Sequence, residues 1–144
     1  GYRESLWQSE DFDFHVRFAA TNPKYRLITD ALVGIRIRES GRSQNRQETS
    51  ASTLQAIELL SKELPAEHHK KLAEKAAKMG SLLYQLGHKT ESRKAFEIAM
   101  RLGPPEFSDQ QPMYRKIART FGPQTAELVG SLYRKFVPEG VRRR

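Results

Sequence analysis

The sequence predicts a mainly α-helical protein, in which a short N-terminal α/β remnant precedes an antiparallel helical-hairpin array of about five helices. Two observations lead to this prediction. From residue 49 onward, apolar side chains recur at the 3.6-residue period of amphipathic helices, and proline or glycine separates one helical stretch from the next. Before residue 49, one helical stretch gives way to a β-branched, partly alternating stretch. We therefore expect two domains, residues 1–48 and residues 49–144.

Composition limits the class of protein. With 144 residues, 38% of them hydrophobic, the chain can bury a core, and no apolar run approaches the roughly 18 residues of a membrane span. The absence of cysteine excludes disulfides and thiolate metal sites. Residues 1–10 lack a signal-peptide pattern, so we expect a cytoplasmic protein or one peripheral to a membrane. The chain opens without methionine in the middle of an element, which indicates a fragment.

The net charge of +8 is unevenly distributed. Residues 1–48 hold eight basic and seven acidic side chains, whereas residues 49–144 hold seventeen and ten. The basic excess therefore lies in the helical region and its Arg142–Arg144 tail, and such a surface suits nucleic acid or anionic lipid. A solvated helix face with a frayed tail explains the same charges, and we favour that explanation.

The N-terminal region contains one helix followed by strand-like sequence. Residues 10–20 form the expected helix, with Ser9 as its N-cap, three carboxylates in its first turn and the Asn22-Pro23 pair as its end. Residues 25–40 are β-branched and partly alternating, which predicts one bent strand or two short ones, the remnant's β part. Residues 41–52 are polar and are expected to form a surface loop or linker.

Five amphipathic stretches follow, each ended by a helix breaker. Their expected bounds are 53–64, 67–86, 90–102, 109–121 and 124–136. Pro65, Gly87 and Gly122 lie between successive stretches, and Thr90 is the expected N-cap of the third. Such short connections favour antiparallel neighbours.

The second and third of these helices have a distinctive arrangement of small and large residues. The residues concerned are Met79, Gly80, Gly87, Ala95, Phe96, Ala99 and Pro104. At this spacing, residues 67–104 resemble a tetratricopeptide unit, in which small residues let two helices cross closely, and Ser92 replaces the family's usual alanine. Residues 108–136 match it poorly and resemble a degenerate or capping unit. An ordinary helical hairpin without a peptide-binding groove fits the same residues.

A second resemblance covers roughly residues 1–48. The segment Ser9–Ala19 contains a Glu-Asp pair, an aromatic residue, another acid, and then an apolar helix with arginine. The segment Leu32–Ser43 follows at a fitting distance, with arginines before a serine-containing turn. Together they resemble the C-terminal part of a family 2 glycosyltransferase domain, a nucleotide-sugar enzyme with the GT-A fold.

The resemblance implies roles for particular residues. Asp11 matches the family's general base, which takes the proton of the acceptor hydroxyl, and Glu10 would orient it or contact the acceptor. Trp7 would flank the acceptor or contact the core of the missing domain. Arg36 and Arg38 would contact substrate phosphate, and Arg38 stands where the family often has histidine. Without the resemblance, the first-turn acids are explained by helix stabilisation alone.

The family's nucleotide-binding half is absent from this sequence, and no Asp-x-Asp motif between hydrophobic strands is present. We therefore expect the chain alone to be inactive, with a divalent metal (Mg or Mn) and nucleotide sugar bound only in the complete enzyme. The expected partners are the missing half, a glycan or other hydroxyl acceptor, and a second copy of the chain. We also expect exposed apolar surface, or a dimer covering it, around residues 27–37.

Two other functions stay open at this point. The principal alternative is a non-enzymatic tetratricopeptide-like helical adapter for protein–protein interaction, in which residues 1–48 are only an appendage. A basic nucleic-acid-binding module is a third possibility, but no aromatic-basic interleaving supports it.

Overall fold

A computed structural model of the chain describes residues 1–34, 45–107 and 110–136. These residues contain six α-helices and a short 3-10 helix at Ala66–His68. The α-helices are α1 (Glu10–Ala20), α2 (Arg46–Glu63), α3 (His69–Gln85), α4 (Lys89–Leu102), α5 (Pro112–Phe121) and α6 (Pro123–Phe136). The mainly α-helical class is therefore confirmed. The chain divides into two compact units, residues 1–65 and residues 66–144, which we call the N-terminal and C-terminal units.

The predicted strands are not formed in the part of residues 25–40 that the structure describes. Residues 25–34 have no strand partner there, and Leu27, Ile28 and Val33 are exposed to 82%, 61% and 81%. A strand needs a neighbour to satisfy its backbone N–H and C=O groups, so β-branched composition alone is insufficient. We expected exposed apolar surface around residues 27–37, and residues 27–34 are exposed in the structure. Residues 35–40 lie outside the described residues.

Helix α2 begins earlier than expected. We expected residues 41–52 to form a loop or linker, but the helix starts at Arg46, and residues 41–44 lie outside the described residues. The cause is local: the Asn45 side chain accepts a hydrogen bond from Glu48 N at 3.3 Å, which is an N-cap. The expected boundary after residue 48 thus falls inside a helix, whereas the two units divide after Pro65.

The predicted bounds of α1 agree with the structure, and Ser9 is its N-cap residue, but the Ser9 side chain does not cap the helix. Ser9 has a φ of 61° and makes no side-chain capping bond. Its hydroxyl instead hydrogen-bonds the Thr53 hydroxyl at 2.8 Å, which links the start of α1 to α2. The carboxylates of the first turn remain to stabilise the positive end of the helix.

Helices α3 and α4 form the predicted hairpin. Gly87 has a φ of 88°, a conformation that favours glycine, and it lies in a Schellman motif. In this motif His88 N donates to Leu83 O at 2.9 Å and Gly87 N donates to Tyr84 O at 3.0 Å. Helix α4 begins at Lys89 with His88 as N-cap, so the expected capping role of Thr90 is wrong by two residues.

The Gly80 backbone of α3 lies close to the Phe96 ring of α4 where the two helices cross. A Cβ atom added to Gly80 would lie 2.8 Å from Phe96 Cε1, so the Phe96 ring occupies the space that any larger residue would need. The buried Ser92 hydroxyl donates to the Gly80 carbonyl at 2.7 Å. The Ser92 side chain therefore adds a hydrogen bond between the helices at the crossing.

Prolines set the start of the last two helices. Pro112 is the first residue of α5 and Pro123 the first of α6, positions where the missing N–H costs nothing. Helix α5 therefore starts three residues later than expected. Gly122, with a φ of 86°, separates the two helices, which pack on each other. Among the described residues, no helix is long and apolar enough to cross a membrane.

Replacing Gly80 with alanine is expected to destabilise the C-terminal unit. The added methyl group collides with Phe96, and overpacking of this kind costs about 1–3 kcal/mol, against about 1 kcal/mol of gained helix propensity. Thermal unfolding followed by circular dichroism measures the change, and Phe96→Leu in the same chain should restore part of the loss.

Gly130→Ala is the matched control for that experiment. Gly130 also lies inside a helix, but its added Cβ would meet only the Arg134 guanidinium, at 3.4 Å. This variant should be as stable as the wild type or more stable. Equal melting temperatures for the two alanine variants would contradict the proposed collision.

Candidate functional site

The start of α1 is held by hydroxyl side chains of α2. Ser52 Oγ accepts a hydrogen bond from Gln8 N at 3.2 Å and donates to the Gln8 carbonyl, and Thr49 Oγ1 donates to Gln8 Oε1 at 2.7 Å. With the Ser9–Thr53 bond, three residues on one face of α2 contact the segment that enters α1. The first turn of α1 therefore has a fixed position on α2.

A buried ion cluster also holds this helix. The carboxylate of Asp13 is fully buried and accepts from Arg3 Nε, at 3.0 Å to each oxygen, and from Arg17 Nε at 2.9 Å. A buried carboxylate is stable only when it is paired and hydrogen-bonded, and Asp13 has two guanidinium partners. We therefore assign Asp13 a structural role.

Arg3 extends this cluster to the C-terminal end of α2. Its two terminal nitrogens donate to the two carboxylate oxygens of Glu63, with Nη1 at 2.8 Å from Oε1. This bidentate bond holds the pKa of Glu63 below its usual range, and it raises the pKa of Arg3. One arginine from the N-terminal segment therefore joins both helices of the N-terminal unit.

The two predicted catalytic carboxylates lie in the first turn of α1. Asp11 is exposed, and its Oδ1 accepts a hydrogen bond from Phe12 N at 2.7 Å; Glu10 is half-buried. That bond fixes one oxygen of Asp11 against the helix start, and its exposed position leaves the carboxylate accessible from solvent. A carboxylate held in this way can accept a proton from a bound hydroxyl group.

The structure places the remaining predicted site residues as follows. Trp7 lies four residues before Asp11, in the segment anchored to α2, and its side chain is 69% exposed. Arg36 and Arg38 lie outside the described residues. Trp7, Glu10 and Asp11 thus share the N-terminal end of α1.

A second polar cluster, in the C-terminal unit, was not anticipated from the sequence. Glu127 of α6 is buried and accepts a hydrogen bond from the Tyr114 hydroxyl at 2.9 Å, which lies 3.3 Å from Ser81 Oγ. Among the described residues, Glu127 Oε2 has no hydrogen-bond partner, and Arg134 Nη2 is 3.8 Å away. Burial raises the pKa of Tyr114, which keeps its phenol protonated as a donor.

The sequence offered one signal for this cluster. Arg134 follows Glu127 by seven residues, which places both on one side of α6, whereas Tyr114 joins them only through the packing of α5 on α6.

Within residues 1–34, 45–107 and 110–136, no group of three or more His, Cys, Asp and Glu side chains is arranged to hold a metal ion. The Glu127 cluster contains only one carboxylate, and its hydrogen bonds join α6 to α5 and α3 within the C-terminal unit.

Comparisons of the chain with protein-family models, with curated proteins and with solved structures found no match.

The different environments of Asp11 and Asp13 predict different effects of the same substitution. Asp13→Asn removes a charge that two arginines contact and should destabilise the N-terminal unit by about 2 kcal/mol. Asp11→Asn, two residues earlier, should change stability by less than about 1 kcal/mol. Trp7 is the only tryptophan in the chain, so its fluorescence during denaturant unfolding reports on this unit. Equal losses in the two variants would contradict the structural role of Asp13.

The raised pKa of Tyr114 predicts a loss of stability at alkaline pH. Above the unfolded-state pKa of about 10 the unfolded chain releases the phenolic proton while the folded chain retains it, so the free energy of unfolding falls as pH rises. In the Tyr114→Phe variant, the slope of the unfolding free energy against pH should be smaller by the contribution of one proton. Unfolding free energies measured from pH 9 to above pH 11 test this, and identical slopes in wild type and variant would contradict it.

Proposed function

We propose that residues 1–48 are the acceptor-side end of a family 2-like glycosyltransferase, with Asp11 as the general base for an acceptor hydroxyl. The observation that carries this proposal is the separation of roles between two neighbouring carboxylates. Asp13 is buried and held by Arg3 and Arg17, whereas Asp11 is exposed at the helix start. Of these two aspartates, Asp11 is the one that solvent reaches, which supports it as the proposed base.

In the proposed reaction, Asp11 accepts the proton of the acceptor hydroxyl as its oxygen attacks the anomeric carbon of the sugar. The new C–O bond forms as the bond from that carbon to the diphosphate breaks, and the nucleoside diphosphate leaves with the electron pair. Proton acceptance needs a carboxylate of fixed position within hydrogen-bond reach. The anchoring of Gln8 and Ser9 on α2 supports such a position.

The other residues of this end have proposed roles beside that reaction. Trp7 offers an exposed indole on which an acceptor sugar would stack, and Glu10 would orient the acceptor or Asp11. Arg36 and Arg38 would contact the diphosphate, as the resemblance implies.

The segment 25–34 supports the same proposal. It is rich in β-branched and large apolar residues, yet Leu27 and Val33 are exposed, and it has no strand partner among the described residues. In a GT-A domain it would pair with a neighbouring strand, which would satisfy the backbone, and packing against the rest of that domain would cover these side chains. The same domain would hold the nucleotide sugar and its divalent metal, so residues 1–144 alone would be inactive.

The principal alternative is a helical adapter, and the α3–α4 hairpin supports it. Gly80, Ser92 and Phe96 make the close crossing that the tetratricopeptide resemblance requires. A crossing of this kind is a packing unit, and a peptide-binding groove needs several repeats in series. We therefore propose the hairpin as an appendage of the transferase, with the adapter function as the alternative.

Asp11→Asn in the protein that carries the nucleotide-binding half is expected to lower kcat about 10²- to 10⁴-fold, because the proton acceptor is lost. The binding of the nucleotide sugar, measured by calorimetry, should not change. Asp30→Asn is the matched control, since Asp30 is an exposed aspartate of the same unit. Sugar transfer is followed with a panel of nucleotide-sugar donors.

Two results would count against this proposal in different ways. Transfer that survives Asp11→Asn would show that Asp11 is not the base, although the protein is a transferase. Absence of both nucleotide-sugar binding and transfer in the wild-type protein would instead favour the adapter.

A further inference from the structure

Helix α6 carries an apolar stripe on the side that faces away from its buried face. The stripe consists of Leu128, Leu132 and Phe136, spaced four residues apart and exposed to 49%, 47% and 74%. At about 100° per residue these side chains lie on one side of the helix, and the buried Ala126 and Glu127 lie on the other. A surface helix usually shows the reverse arrangement, with polar residues outward.

The exposed charges on α5 and α6 have one sign. The basic residues are Arg115, Lys116, Arg119, Arg134 and Lys135. Glu127 is the one acid within residues 110–136, and it is buried. Lys135 adjoins the stripe, with Nζ 5.9 Å from the ring centroid of Phe136. The exposed surface of these two helices is therefore apolar and cationic.

Helix α5 adds to the exposed apolar surface of this hairpin. Met113 and Phe121 are exposed to 67% and 70%, and they share a side of the helix with the half-buried Ile117. Its basic residues Arg115, Lys116 and Arg119 lie on another side of the same helix. Both helices thus combine large apolar side chains with lysine and arginine.

We propose that the α5–α6 hairpin docks on the surface of an anionic lipid bilayer, with the stripe of α6 inserted below the headgroups. Helices that lie in a membrane interface have an apolar face with leucine and phenylalanine and a polar face rich in lysine and arginine. Each basic side chain near an anionic surface adds attraction that salt weakens. This inference does not depend on the transferase proposal.

The charges favour lipid over a second copy of the chain. Two copies packed stripe to stripe would bring together helices whose exposed charges are all positive, and residues 110–136 offer no exposed acid to offset the repulsion. The cations are spread over two helices, which suits a surface of many headgroups. An acidic protein partner is the competing possibility, and the experiment below distinguishes it.

The test is sedimentation of the whole 144-residue chain with vesicles of phosphatidylcholine alone or mixed with phosphatidylglycerol. We expect binding to the anionic vesicles at low salt, weak binding to the neutral vesicles, and a several-fold loss at physiological salt. Leu132→Gln with Phe136→Gln should weaken binding about ten-fold or more. Leu86→Gln with Met100→Gln, also exposed apolar residues of this unit, is the matched control and should bind normally.

Two further variants test separately the electrostatic attraction to the vesicle and the insertion of the stripe into its apolar layer. Lys135→Gln should weaken binding about five-fold, whereas Lys94→Gln, an exposed lysine of α4, should have a smaller effect. Leu132→Trp in a Trp7→Phe chain should show a blue-shifted emission on anionic vesicles, because the indole enters the apolar layer. Circular dichroism confirms that each variant is folded.

Several results would overturn the proposal. These are absence of binding to anionic vesicles at low salt, equal binding to both vesicle types, and normal binding by the Leu132→Gln, Phe136→Gln chain. A dimer in sedimentation equilibrium that this double variant converts to monomer would assign the stripe to a second copy. Unshifted emission from the tryptophan reporter on vesicle-bound chain would also contradict insertion and leave an acidic partner as the better explanation.

Discussion

The N-terminal unit depends on one buried charge. The carboxylate of Asp13 is removed from water, and such a group is tolerated only where cations and hydrogen-bond donors surround it. Arg3 arrives from the segment before α1 and Arg17 from the following turn, and Arg3 also contacts Glu63 at the end of α2. The requirement to pair Asp13 therefore draws the N-terminal segment and both helices together, and it fixes the turn that carries Asp11.

The C-terminal unit is held by a different constraint. Helices α3 and α4 cross closely because Gly80 leaves room for the Phe96 ring, and the Ser92 hydroxyl bonds the Gly80 carbonyl at the same place. On α6 the usual arrangement is reversed, because Glu127 is buried while leucine and phenylalanine face outward. The C-terminal unit therefore combines a closely packed helical hairpin with last helices that expose apolar side chains.

The sequence predicted the helices well because their determinants are local. The 3.6-residue period of apolar side chains identifies a helix whatever surrounds it. In the same way, Gly87 identifies the end of α3 and Pro123 the start of α6. The β-branched stretch at 25–34 was misleading since a strand needs a partner that local sequence does not contain. Residues 46–52 look like a linker by polarity, yet the hydroxyl groups of Thr49 and Ser52 bond Gln8, some forty residues away.

The candidate site was predictable only in part for the same reason. Asp11 and Glu10 were identified through a resemblance, whereas the structural role of Asp13 depends on Arg3, ten residues earlier. Only Arg17, at the i+4 position, gave a local signal of that cluster. The Tyr114–Glu127 bond likewise joins different helices and has no local signature.

We propose that Asp11 faces the acceptor while Asp13 stabilises the fold. A structure of the protein together with its nucleotide-binding half and a bound acceptor tests this claim most directly. The account predicts an Asp11 oxygen within about 3 Å of the reacting hydroxyl, with Asp13 still held by Arg3 and Arg17. An acceptor bound at another surface, or an Asp13 released from its arginines to contact it, would contradict the account.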